Sequence, residues 1–156
     1  MCKCIENIKT SYSRVKRETS RLSRRSFCDP ILDVGITQVN MDDFLDAINS
    51  QTHELHQLTQ VINDLIDGVR SAFCDISTQE AEELLELSGP MYDKMQLVQR
   101  KLHKSPLYVG MQTVVDIYED AMSDFEELCH DLRTWRIDLE QDEEFEKLRE
   151  QLKGIA

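Results

Sequence analysis

Turn-forming and aromatic residues are scarce in this chain. Five glycines and three prolines serve 156 residues, and aromatics make up 6%. That is too few turn residues for the many hairpins of an all-β sandwich or barrel. Long apolar runs are missing as well; none approaches the ~18 residues that a bilayer-crossing helix needs. Between Met1 and Phe27 there is no apolar stretch after a basic start, so the secretory pattern is absent. The scattered glycines form neither G-x-G-x-x-G nor G-x-x-x-x-G-K-[ST], the loops that cradle phosphates. No G-x-S-x-G elbow and no pair of C-x-x-C knuckles occurs. The cysteines, at 2, 4, 28, 74 and 129, are odd in number. Reduced thiols in the cytoplasm are the plain reading, with Cys74 and Cys129 as small core hydrophobes.

What the chain does contain is charge and helix-forming apolar residues. Charged residues are 31% and the net charge is −12. Leu, Ile, Val and Phe reach 27%, above the roughly 20% below which a charged chain fails to build a core. Charge is uneven. Residues 1–26 carry a net +6 and residues 27–156 a net −18. The basic contact residues Lys9, Arg14, Lys16, Arg17, Arg21, Arg24 and Arg25 either reach an acidic partner or fold onto the chain's own acidic body. Direct nucleic-acid binding by the body is disfavoured, because net −18 repels phosphate.

Periodicity fixes the fold class. In residues 41–74 a heptad frame places Met41, Ile48, Leu55, Ile62 and Val69 at a, and Phe44, Gln51, Leu58, Leu65 and Ala72 at d. Gln51 is the one polar residue among them. A second helix over 78–103 starts at an S-x-x-E capping box, Ser77 to Glu80. Its stripe runs through Ala81, Leu84, Ser88, Met91, Met95, Val98 and Leu102, in phase across Gly89-Pro90. One helix bent at Pro90 is therefore expected rather than two. Residues 108–139 repeat the pattern with Met111, Tyr118, Phe125, Leu132 and Leu139 at a. The phase is lost through Glu140 to Glu144 and restarts at Phe145, Leu148, Leu152 and Ile155. The loss predicts a break, with a short terminal helix over 142–153 capped by Asp142. Residues 1–26 carry a thinner stripe, Ile5, Ile8, Tyr12, Val15, Thr19 and Leu22, which suits a helix lying along others or on a membrane surface. Residues 27–40, with Pro30 and Gly35, read as a connector. No internal repeat is evident. The expected fold is all-α: one domain over 1–156, an antiparallel up-down bundle of about four long helices plus a short C-terminal helix.

Catalytic and metal constellations are thin. His53-Glu54-Leu55-His56 has its second histidine at i+3, whereas the zinc-protease helix needs i+4. Glu127 and His130 form one Glu-x-x-His unit, but a di-iron bundle needs two. Both sets fall on outward heptad positions. Acidic pairs such as Glu82-Glu83 read as solvated charge. No catalytic residue, metal or cofactor is expected. Met1-Cys2-Lys3-Cys4 is unusual, since two thiols before a basic amphipathic helix suit dual acylation. Two exposed thiols on a ragged terminus are the plainer reading. The leading expectation is a non-enzymatic intracellular adaptor or regulator that recognises a protein partner, basic or amphipathic, through a helix face and an acidic surface. A homo-oligomer is compatible with it. The alternatives are a peripheral membrane protein held by Cys2, Cys4 and the basic helix, and an acidic inhibitor that imitates nucleic acid.

Overall fold

The computed structural model describes residues 3–25 and 41–155. Among them every regular element is helical: α1 (Lys3–Ser23), α2 (Met41–Ser71), α3 (Thr78–Lys104) and α4 (Tyr108–Ile155), with one 3-10 turn at Phe73–Asp75. The expected connector over 27–40 lies outside the described residues. The helices alternate in direction along the chain and form an all-α bundle. α1 packs on α2 and α3, and α4 packs on the same two.

Cross-helix bonds set the directions. Lys9 meets Glu83 at 3.1 Å and Lys94 donates to Ser20 at 2.8 Å, so α1 runs parallel to α3. Arg70 meets Asp131 at 3.1 Å near one end, and Gly110 faces Ile48 near the other, so α2 runs parallel to α4. Tyr92 to Glu126 and His103 to Glu119 make α3 and α4 antiparallel. α2 and α3 therefore sit on a diagonal, although the short loop between them predicts immediate neighbours. The loop manages the crossing by plugging the end of the bundle. Ile76 is buried there, and Trp135 Nε1 donates to its carbonyl at 3.1 Å.

From Gln51 onward the core stripes of α2, α3 and α4 to Leu132 are those of the heptad frame, whereas in the first turns of α2 Met41 is exposed and Phe44 and Ile48 are only partly buried. Ile5, Ile8, Tyr12, Val15 and Leu22 of α1 are buried with Leu55, Leu58, Ile62 and Leu65 of α2, and with Leu84, Met95, Tyr118, Phe125 and Leu132 from α3 and α4. Gln51 is buried too. Two buried threonine hydroxyls are satisfied locally: Thr19 donates to the Val15 carbonyl and Thr59 to the Leu55 carbonyl, four residues back. Tyr12 Oη and Ser88 Oγ share a bond of 2.9 Å, and Ser88 also donates to the Leu84 carbonyl.

The capping box at Ser77 and Glu80 is formed in both directions. α3 then runs unbroken through Pro90. The proline is tolerated because Glu86, Gly89 and Pro90 are on the solvent side, where water can reach the carbonyl that loses its donor. Pro90→Ala is expected to supply that donor and to raise stability by up to about 3 kcal/mol. Thermal unfolding checks this, and a lower midpoint would mean that the proline is needed.

The expected break after residue 139 is absent. α4 continues for 48 residues to Ile155. Between Leu139 and Lys153 there is no glycine or proline, and Glu, Gln, Leu, Lys and Arg propagate a helix well. A lost apolar phase does not by itself stop a backbone.

Candidate interaction surface

The residues singled out in the sequence scatter over the bundle. Cys2 lies outside the described residues. Cys4 is in the first turn of α1, and its side chain lies outside the description. The basic residues of α1 divide into two sets. Lys9 pairs with Glu83, Arg21 with Glu18 and Glu54, and Arg25 with Glu54, so this set rests on neighbouring acidic groups. Each is a partly exposed pair of roughly 0–1 kcal/mol. Arg14, Lys16, Arg17 and Arg24 face solvent; Arg14 lines a shallow cleft with Glu18 and Asp64, and Arg24 donates to the Ser20 carbonyl. The apolar face of α1 is buried in the bundle, so only its polar face is available to any other surface.

The candidate metal and catalytic residues do not converge. His53, His56, Glu127 and His130 are all exposed, on the outer faces that the frame assigns. Among the described residues no group of three or more His, Cys, Asp or Glu is placed to hold a metal ion. No helix among them is long and apolar enough to cross a membrane. Two clefts flank α4. One, of about 380 Å³, is lined by Arg70, Phe73, Asp131, Thr134 and Trp135, with the Phe73 and Trp135 rings 5.4 Å apart. The other, of about 270 Å³, is lined by Ser88, Tyr92, Glu126, Cys129 and Arg133 among others. Its thiol is a weak nucleophile, because burial pushes the Cys129 pKa up, against smaller opposing effects of Ser88 and Arg133. Cys74, expected in the core, is exposed instead, because it sits in the 3-10 turn after α2, and in an alkylation time course at mildly basic pH it is expected to react promptly. Cys129 is expected to react only on unfolding. Equal rates at the two thiols would show that this part of the core opens.

The most distinctive surface is the end of α4. After Trp135 packs on the 72–77 loop, the helix passes the end of the bundle. Every residue from 141 to 154 is exposed. Phe145, Leu148 and Leu152 are 61%, 57% and 68% exposed, at spacings of three and four that put them on one face. Arg149 lies over the Phe145 ring at 5.3 Å and pairs with Glu146 at 3.4 Å, which leaves most of the stripe open.

Helix geometry explains why these side chains miss the core. Phe125, Leu128 and Leu132 are fully buried against α2 and α3. Phe145, Leu148 and Leu152 follow each of them by twenty residues. At 3.6 residues per turn, twenty residues are five turns plus ~200°. The second stripe therefore points almost opposite to the first. The two segments are similar in sequence, FEELCHDL over 125–132 and FEKLREQL over 145–152. This short repeat is the signal that locates the surface, and a heptad frame, which treats the phase change as an interruption, hides it. α4 is thus one helix with two opposed apolar faces, an inner one that closes the bundle and an outer one beyond its end. Searches of family models, curated proteins and solved structures found no match to the chain.

Proposed function

We propose that the protein is a non-enzymatic interaction module, an adaptor or regulator, in which the bundle is a rigid base and residues 141–154 of α4 are the recognition helix. The observation that carries this reading is the exposed stripe of Phe145, Leu148 and Leu152 on a helix that has left its own core. Three large apolar side chains in line are a solubility cost unless something covers them. Anchors at i, i+3 and i+7 are the pattern by which an amphipathic helix enters a partner's groove or pairs with another helix. The adjoining outer face of α4 is acidic, with Asp116, Asp120, Asp124 and Glu127 exposed, and it favours approach of a basic or amphipathic partner.

The peripheral-membrane reading is weaker. Its amphipathic helix would have to withdraw Ile5, Ile8, Tyr12, Val15 and Leu22 from the core. Site-specific photo-crosslinking in the native cell tests the interaction reading. A photo-reactive residue replacing Leu148 is expected to give discrete protein adducts, and one at Glu150, on the other side of the same turn, far fewer. No adduct from position 148, or equal adducts from both, would overturn the proposal.

A further inference from the structure

The arm's apolar stripe and its charges are complementary to themselves. Phe145 stands three residues before Leu148 and Leu152 four after it. A two-fold axis close to Leu148 therefore sets Phe145 of one arm against Leu152 of another, and the two Leu148 side chains against each other. Charge follows the same symmetry. Residues 142–146 hold Asp142, Glu143, Glu144 and Glu146 with no base, and residues 147–153 hold Lys147, Arg149 and Lys153 with one acid, Glu150. Two antiparallel arms place each acidic half beside a basic half. Glu144 of one copy stands at the level of Lys153 of the other. Parallel arms would instead set acid beside acid. They would also bring the acidic outer faces of α4, with Asp116, Asp120 and Glu127, alongside their counterparts.

We infer that the arm pairs with the arm of a second copy of this chain, antiparallel, so that α4 joins two bundles end to end through an isologous contact. This rests on reading the arm as a recognition helix, and it names the partner. The outer stripe faces away from its own bundle, so two arms can meet without a clash between bundles.

Sedimentation equilibrium of the full chain over roughly 1–200 µM, a range that brackets weak and moderate association, tests the pairing. A reversible monomer–dimer equilibrium is expected. Leu148→Asp removes an apolar contact from both copies and is expected to weaken the dimer at least ~100-fold. It leaves the helicity of the monomer intact, because Leu148 touches none of the bundle. Leu148→Met is expected to keep the dimer. Solution scattering then reads the orientation. Arms crossing near Leu148 give a particle about 120 Å long, whereas parallel arms give about 70 Å. A full chain that stays monomeric, a dimer that survives Leu148→Asp, or a short particle would each overturn the inference. Crosslinks from position 148 to a different protein, with a monomeric chain, would sink the self-pairing while leaving the interaction reading intact. No crosslink of any kind would sink both.

Discussion

Deleting residues 1–25 is expected to unfold the bundle rather than trim it. Ile5, Ile8, Tyr12, Val15 and Leu22 are each buried against α2 and α3. At ~1.5–3 kcal/mol for each large apolar side chain, their loss removes about 8–15 kcal/mol, an upper figure because unfolded chains are already partly compact. The whole stability of a domain is about 5–15 kcal/mol. The truncated chain would also expose the facing sides of Leu58, Leu65, Leu84 and Met95 to water. Far-UV circular dichroism should show lost helicity, and dye binding should report open apolar surface. Ser88 survives the loss of Tyr12 without an orphaned hydroxyl, because it still donates to the Leu84 carbonyl, so the effect is one of packing. A truncated chain with an unchanged melting midpoint would show that α1 is a tail.

The two phenylalanines of the repeat are expected to differ sharply. Phe125→Ala empties a fully buried site beside Tyr92, whose ring lies 6.4 Å away. It should cost about 3–5 kcal/mol, which lowers the melting midpoint by roughly 10 °C or more in a domain of this size. Phe145→Ala, made with Leu148→Asp so that association does not contribute, should change the monomer by no more than about 0.5 kcal/mol. The same substitution, in the same helix, in a similar octet, would then have effects that differ several-fold. Denaturant unfolding of the two variants measures this. Comparable losses would mean that the arm folds back onto the bundle.

Much of the bundle was legible because burial follows helical spacing. Leu55, Ile62 and Val69 of α2, or Ala81, Leu84 and Met95 of α3, recur every three or four residues, and the capping box at Ser77 announces itself in four letters. Pro90 was readable as an interior proline, because Ser88 and Met91 keep phase on either side of it. Three features resisted. The diagonal placement of α2 and α3 depends on how Ile76 and Trp135 fill one end of the bundle, a tertiary event with no local signature. The ion pairs of Lys9, Arg21 and Arg25 with Glu83 and Glu54 depend on which helices become neighbours. The third was the end of α4. A phase shift from Leu132 to Phe145 signals either a break or a change of face. Propensity between Leu139 and Lys153 favours a continuous helix, but periodicity alone weighs the two equally.

The opposed faces of α4 are the centre of this account, and hydrogen exchange along that helix tests them most directly. At low protein concentration, amides of Met111 to Leu132 should be strongly protected, because they open only with the core. Amides of residues 141–154 should exchange far faster, as a helix without tertiary support. Raising the concentration should then protect the arm while the rest of the helix stays as it was. An arm as protected as the core at the lowest concentration would contradict the account, because its outer face would already be buried.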